Sequence, residues 1–514
     1  MIIAKLAMLL CAALNVILQA IYFTHMLQLN SYRPERYRKW CADNDKKIVQ
    51  IRTMLPATLI LAMFLPELYS YLVSAVVLLI TALLNVPKKA KKPLVVTARV
   101  KRLFVTEFLL VAIILFICYF LVYLRAIGFS CVLSLTPFVL VGLANYINLP
   151  LEKAIANRYV QDARRRLKLR PDLTVIGITG SYGKTSTKNF LHALLSVRYN
   201  VLMTPESYNT TMGVVRTIRE RLRPSHQVFI AEMGAKNIGD IKEICDLVSP
   251  QYGIITSVGE QHLETFKTID SIIATKFELA DSLPQNGCLF ACVDNLHIQN
   301  RLAQKQPLCP TVLYGLLSGD VRVTDLQVSL AGSTFTVAIG DEMQTFTTKL
   351  LGAHNIQNLA GCIAVAHHLG IPLSEMVYAV RLLKPVEHRL QLLPNGYIDD
   401  AYNSNPAGFR GALDVLKQFD AQRVLVTPGM VELGERQEAL NRELGAYAAD
   451  CCDFAILVGI KQAPPLKEGL LSAGFAEERI LVVPTLNEGL QTLAQVPSKG
   501  ARIVLLENDL PDNF

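Results

Sequence analysis

The stretch Gly177-Ile-Thr-Gly-Ser-Tyr-Gly-Lys-Thr-Ser-Thr187 combines the residue types that hold a phosphate. Glycines let backbone N–H groups face phosphate oxygens, and a helix start adds its dipole. A lysine in such a loop reaches the outer phosphates as a point charge, and a following threonine places its hydroxyl on Mg²⁺. Lys184 and Thr185 stand in those two places. The spacing departs from the common eight-residue phosphate loop, because position 178 is Ile and Gly180 lies three residues before Gly183. A carboxylate able to hold the metal is offered by Glu232, which ends the apolar run 227–231 (QVFIA). A third apolar run, 253–258 (GIITSV), leads through Gly259 to His262, which fits either a metal ligand or a locally bonded loop residue.

Such groups work only when rigid elements present them together. Residues 173–178 (LTVIGI) form a β-branched, apolar run bounded by Pro171 and Gly177, which predicts a buried strand. The periodic stretch NFLHALLSV after Thr187 predicts a helix. Strand, glycine turn and helix are the context a phosphate loop requires.

These residues, with others farther along, resemble the Mur ligases. Thr179-Gly180-Ser181-Tyr182-Gly183-Lys184-Thr185 is similar to that family's ATP-binding signature. Glu232-Met-Gly-Ala with Gly239-Asp240-Ile241, Thr256-Ser257-Val258-Gly259 running to His262-Leu-Glu264, and Lys276 follow in the family's order. Gly352-Ala-His354-Asn355-Ile-Gln-Asn358 looks like its HNxxN stretch. Glu387-His388-Arg389, Asp399-Asp400-Ala-Tyr402-Asn403-Ser-Asn405-Pro406 and Gly429-Met430-Val-Glu432-Leu433-Gly434 are closest to the branch that adds D-alanyl-D-alanine to a muramoyl tripeptide. The resemblance covers about 171–450 well.

The resemblance implies an α/β fold, with a P-loop central domain at 171–390 and a Rossmann-like C-terminal domain at 391–514. It implies ATP-dependent amide formation with Mg²⁺. A carboxylate is a poor electrophile; phosphorylation turns it into an acyl phosphate that an amine attacks, and positioning with charge neutralisation does most of the work. Carried over residue by residue, it implies Thr179, Gly180, Gly183, Lys184, Thr185 and Ser186 around the phosphates. It places Thr185, Glu232, His262 and Lys276 around magnesium, Lys276 as a carbamate formed with CO₂, and it makes Lys184, Glu232, His262 and Lys276 the catalytic set. Asn355 would meet the adenine, while Arg389 and Asp400 would close over the nucleotide. Asn209, Thr211 and Asn403 would hold the substrates, though Asn403 and Asn405 also fit turn formation before Pro406. Two departures stand out. The family's N-terminal UDP-binding domain is not visible, and the last apolar run, 502–506 (RIVLL), continues into Glu507 where the dipeptide-adding branch shows Lys-Gly-Ser.

The N-terminal 150 residues differ in kind. Residues 2–23 form an apolar run of spanning length, and the runs 54–86 and 103–149 follow. Basic segments separate them: 31–53 carries seven Lys/Arg against three acids, 87–102 seven against none, and 152–170 seven against two. These total +16 in a chain of net charge +8, which leaves the soluble part acidic. Basic clusters beside apolar runs mark the cytoplasmic face of a bilayer, not a nucleic-acid surface. The pattern predicts a membrane α-helical region at 1–150 with four to five spans, 54–86 being a tight or re-entrant hairpin and 103–149 dividing at about 124–128. A basic linker at 151–170 and a cytosolic catalytic part would follow. Glu67 is expected at a turn near the headgroups and Glu107 near an interface. The eleven cysteines show no CxxC spacing, which predicts reduced thiols.

The leading expectation is a membrane-anchored ligase that joins a lipid-linked or UDP-linked carboxylate acceptor to an amino acid or dipeptide, in cell-wall or surface-polymer synthesis. Addition of D-alanyl-D-alanine to a UDP-muramoyl tripeptide is the alternative. An ATP-responsive scaffold of an envelope complex is the non-enzymatic rival.

Overall fold

A computed structural model describes residues 1–87, 93–121, 123–261, 263–329, 331–402, 404–431, 433–459, 463–495 and 500–508. The chain divides into two compact units, one holding residues 1–158 and the other 159–510.

In the first unit, Ile2–Leu29, Glu67–Leu84 and Ala98–Phe120 are helices long and apolar enough to cross a membrane. Leu124–Leu135 and Pro137–Lys168 form a pair bent by 77° that supplies a fourth such segment if counted as one. On the helix Ala98–Phe120 the apolar side chains Phe108, Leu109, Ile113, Phe116 and Phe120 are exposed. The side chain of Gln28 exchanges hydrogen bonds with the backbone of Val95, and the Arg99 guanidinium lies 4.0 Å over the Tyr32 ring. Arg102 pairs with Glu152 at 2.7 Å. Ile48 packs in one cluster with Leu27 and Leu103. Asn85, just past the helix Glu67–Leu84, donates to the Arg52 carbonyl. Residues of the first two basic segments and Glu152, which opens the third, therefore meet at one end of the bundle; the lysines at 88, 89, 91 and 92 lie outside the described residues. The apolar run 54–86 folds as the helical stretch Ile51–Ala62 followed by Glu67–Leu84, its ends returning to each other at Arg52 and Asn85.

Two details differ from the sequence reading. The helix Pro137–Lys168 runs through both the expected boundary at 150 and most of the expected linker, with Pro150 inside it. Glu107 is buried and accepts a 2.8 Å hydrogen bond from Thr24. Its helix starts at Ala98, earlier than the apolar run suggests, so residue 107 falls in the third turn, inside the bundle.

The second unit holds two sheets. The larger is built from β1 (Thr174–Thr179), β2 (Val201–Met203), β3 (Val228–Glu232), β4 (Tyr252–Ile255), β5 (Cys288–Cys292), β6 (Thr311–Gly315), β7 (Val321–Ser329), β8 (Gly332–Ile339) and β9 (Glu342–Thr348). Their order is β2-β3-β1-β4-β5-β6-β7-β8-β9, parallel as far as β7 and antiparallel beyond. Strand β1 is central and buried on both faces, as a parallel strand covered by helices must be. The helix Lys184–Leu195 buries Phe190, Leu191, Leu194 and Leu195 in the same core.

The smaller sheet is built from β10 (Gln391–Leu392), β11 (Tyr397–Asp400), β12 (Gln422–Thr427), β13 (Phe454–Val458), β14 (Ile480–Val483) and β15 (Arg502–Glu507). Its order is β10-β11-β15-β12-β13-β14, and all pairs but the first are parallel. Cys451 and Cys452 follow the helix Gln437–Ala448 and, like the other nine cysteines, are free thiols.

Candidate functional site

In an open parallel sheet, ligands bind beyond the carboxyl ends of the strands, where neighbouring connections diverge. Here β1 lies between β3 and β4, and the loop 180–183 leaves β1 at that point. Two glycines shape it. Gly180 has φ 152° and a Cβ there would lie 2.0 Å from Thr256 Oγ1; Gly183 has φ 79° and a Cβ would lie 2.6 Å from Asn358 Oδ1. The loop is strapped to the β4 side: Ser181 N donates to Ser257 O at 2.7 Å, Tyr182 N to Ser257 Oγ at 3.0 Å, and Tyr182 OH to Glu260 O at 2.8 Å.

The Lys184 ammonium folds back over the loop, donating to Gly180 O at 2.6 Å and Ser181 O at 3.0 Å. Burial pulls its pKa down to about 8, with Glu232 opposing and Arg389 adding to the shift. Thr185 Oγ1 donates to Glu232 Oε1 at 3.1 Å, so the hydroxyl and the carboxylate named from the sequence do meet. These are hard oxygen donors of the kind Mg²⁺ takes alongside phosphate oxygens. Asn209 also reaches this point, its Nδ2 lying 3.0 Å from Glu232 Oε1.

A residue the sequence reading passed over completes the cluster. Lys188 is fully buried, its Nζ 2.9 Å from Glu232 Oε2 and donating to the Glu206 carbonyl. It thereby ties the strand-end carboxylate to the loop that carries Asn209. Burial pushes the Glu232 carboxyl up, but the charge and hydrogen bond of Lys188 outweigh it, helped by Lys184 and Asn209, and hold it below the usual carboxylate range. Breaking a buried pair leaves an uncompensated charge. Lys188→Met is therefore expected to destabilise the fold by about 3 kcal/mol, the low end of that range because Thr185 and Asn209 still serve Glu232. A thermal melt lowered by several degrees checks this; an unchanged melt would contradict it.

Lys276 lies on the helix Ile269–Asp281, buried, its Nζ 5.9 Å from the centroid of the Phe266 ring. It has no hydrogen-bond or ion-pair partner among the described residues. Burial and the like charge of Lys184 bring its pKa down to about 7.

The C-terminal sheet completes the site from the other side. Arg389 Nη2 lies 3.4 Å from Thr185 Oγ1, and its guanidinium stacks 4.5 Å over the Tyr402 ring. Asp400 Oδ1 accepts from Leu390 N at 3.0 Å. Arg436 pairs with Glu260. Between the two sheets lies a cavity of about 150 Å³, whose lining includes Gly183, Ser186, Asn355, Arg389, Asp400 and Glu507. Asn355 Nδ2 donates to Leu351 O at 2.8 Å at the start of the helix Ala353–His368.

Some named residues have local roles. Thr179 Oγ1 donates to Met233 O at 3.1 Å and stitches β1 to β3. Thr211 opens the helix Thr211–Arg221, which Thr210 caps through its hydroxyl. His262 and Asn403 lie outside the described residues.

Comparison with known proteins places these elements in a family. The Mur ligase middle domain model matches residues 178–366, and the model of the Mur ligase glutamate ligase domain matches 388–506. The UDP-N-acetylmuramoyl-tripeptide–D-alanyl-D-alanine ligase of Bacillus subtilis is 29% identical over 358 residues, 68% of this chain and 74% of that protein. The Escherichia coli protein of the same name is 29% identical over 344 residues, 65% of this chain and 75% of that one. Among solved structures, MurF from Acinetobacter baumannii superposes with TM-score 0.63 at 26% identity, covering 69% of this chain and 77% of that one. MurF from Thermotoga maritima in complex with ADP gives 0.62 at 25%, covering 69% and 80%.

Proposed function

Because this chain belongs to the Mur ligase family, whose members are ATP-dependent ligases that form carbon–nitrogen bonds, we propose that it adds D-alanyl-D-alanine to a UDP-N-acetylmuramoyl tripeptide. The observation that carries this reading is the meeting of Lys184, Thr185 and Glu232 beyond the ends of β1 and β3, in a chain whose Bacillus subtilis and Escherichia coli relatives bear that name. In this reading Lys184 neutralises the outer phosphates of ATP. Thr185 and Glu232 would hold Mg²⁺, which would offset charge on the transferring phosphoryl group. Asn209 orients the tripeptide carboxylate toward the γ-phosphate. The substrate acid becomes an acyl phosphate, and the dipeptide amine displaces phosphate from it. Arg389 and Asp400 close over the nucleotide, with Asn355 on the adenine side. Lys276, if carbamylated, would supply a negative charge to support the metal. His262 and Asn403 complete the metal and substrate sets as further parts of the proposal.

A second reading concerns the acceptor. Residues 1–158 hold helices long and apolar enough to cross a membrane, and both family models begin after them. This favours a bilayer-held enzyme, with the catalytic unit on the cytoplasmic side and an acceptor that is UDP-linked or carried on lipid. One experiment addresses both points. The protein should stay with the membrane pellet in alkaline carbonate. In detergent it should form ADP only when UDP-muramoyl tripeptide and D-alanyl-D-alanine are both present. ADP formation indifferent to both substrates would overturn the ligase reading of this site. ADP formation with a lipid-linked acceptor alone would replace the first acceptor by the second.

A further inference from the structure

A second cavity, of about 620 Å³, lies at the amino ends of β1 and β4, away from the phosphate loop. Three cations line it, Arg164 and Lys168 on the last turns of the helix Pro137–Lys168 and Arg170 just beyond it. One carboxylate lines it, Asp246, and that one is drawn to Lys242 at 2.7 Å. Arg170 is committed to the fold: it pairs with Asp172 at 2.7 Å and donates to the carbonyls of Arg223 and His226 at 2.9 and 2.6 Å. The other two cations are not. Arg164 Nη2 reaches only the Asp246 carbonyl, at a long 3.4 Å, and its Nε is enclosed with no partner among the described residues. Lys168 is exposed and has no hydrogen bond or ion pair among the described residues. Gln251 Oε1 accepts from Val175 N, which leaves the amide N–H groups of that side chain as its open donors.

Cations on the last turn of a helix are explained in part by its dipole. That accounts for the placing of Arg164 and Lys168 but not for an enclosed guanidinium N–H that bonds nothing. Open N–H donors with an excess of positive charge select an acceptor-rich anion, and arginine and lysine together suit a phosphate. Pockets that hold small molecules run to about 300–1,000 Å³, so this one has room for the group that a phosphate esterifies. Leu167 and Pro171 give that group an apolar wall. The six residues of β1, at about 3.3 Å each, keep the cavity roughly 20 Å from the phosphate loop. A ligand here is therefore neither the nucleotide nor a reacting group.

We propose that this cavity binds a phosphate monoester through Arg164, Lys168 and the Gln251 amide, at a site separate from catalysis. Two sources share that chemistry. An anionic phospholipid would present its headgroup, in keeping with the basic run 152–170 and with the apolar bent pair that ends in this helix. A soluble phosphate ester would present the same oxygens without acyl chains. In either case the ligand links the end of the helix Pro137–Lys168 to the segments that enter β1 and β4.

The test uses the full chain in detergent, saturated with ADP and Mg²⁺ so that the phosphate loop is filled. The probes are dihexanoyl phosphatidic acid, dihexanoyl phosphatidylcholine and glycerol 3-phosphate, read by calorimetry. The variants are Lys168→Gln, the double change Arg164→Gln with Lys168→Gln, and Arg165→Gln, whose residue is exposed and outside the lining. Wild type should bind phosphatidic acid at least tenfold more tightly than phosphatidylcholine. The double variant should lose at least tenfold and Lys168→Gln at least threefold, while Arg165→Gln binds as wild type does. Glycerol 3-phosphate bound within tenfold of phosphatidic acid would name a soluble ester as the ligand; a wider gap would name the lipid. Failure of wild type to bind either monoester would overturn the proposal. So would undiminished binding by Lys168→Gln and the double variant, which would place the anion elsewhere, or an equal loss in Arg165→Gln, which would mean diffuse surface charge. Should the double variant melt below wild type, the threefold loss in Lys168→Gln decides the matter alone.

Discussion

Lys184→Met should cut substrate-dependent ADP formation by ~10³-fold while leaving the melting temperature within a degree or two. Methionine has nearly the length of lysine and no charge, so it fills the hollow that the ammonium occupies over Gly180 and Ser181. The two carbonyls it would leave belong to a loop already strapped by Ser257 and Glu260, which is why stability should hold. Catalysis has no such reserve. Phosphoryl transfer is carried by positioning and charge neutralisation, and removing one preorganised cation from a water-poor site removes several kcal/mol of transition-state stabilisation. Near neutral pH the ammonium is mostly charged even with its pKa lowered to about 8, and a triphosphate beside it would raise that value again. Steady-state kinetics should show the loss in kcat more than in the KM for ATP. Unchanged kcat would mean that the phosphates lie elsewhere.

What the sequence reveals of this site depends on how local the signal is. The strand and loop around Gly180 and Gly183 are legible because β-branched residues and glycines carry their conformational meaning with them. Glu232 is legible as the polar end of an apolar strand. Lys188 is not. Between Thr187 and Asn189 it reads as a solvated helix lysine, and only the approach of β3 and the Glu206 loop turns it into a buried partner. Glu507 is visible as a departure from a family pattern, but its place beside Asp400 and its contact with the cavity come from the pairing of β11 with β15, more than a hundred residues apart in the chain.

The N-terminal unit shows the same division. Apolar length predicts the helices, and charge asymmetry predicts that the basic segments share one end, which the contacts of Gln28, Arg52, Arg99 and Arg102 display for the first two segments and for Glu152 at the start of the third. Where the helices stop is less legible. A fall in hydropathy near 150 looks like a boundary, yet helix geometry is indifferent to hydropathy, and the helix continues to Lys168. Pro150 is tolerated inside it, against its usual effect.

The second large effect is expected at Lys276. Lys276→Ala should abolish most ligation, and a small carboxylic acid such as formate or acetate should restore part of it. The argument begins with burial. An ammonium 2% exposed, with no ion pair or hydrogen bond among the described residues and only the more distant charges of Glu278 and Asp240 in its favour, is costly to keep charged. Its pKa near 7 leaves roughly half the side chains as free amine at neutral pH. A neutral amine is the form that adds CO₂, and the resulting carbamate is an anion on the same stem. The sign of the pH dependence follows: lowering pH through about 7 protonates the amine, so carbamate formation at fixed dissolved CO₂ should fall toward pH 6 and rise toward pH 8. Wild-type activity should therefore drop after CO₂ is stripped at pH 6.5 and recover on adding bicarbonate, whereas the alanine variant should answer to formate and ignore bicarbonate. Activity of wild type indifferent to CO₂, together with an alanine variant that formate does not rescue, would leave Lys276 as a packed neutral amine and would require the negative charge beside the metal to come from another group.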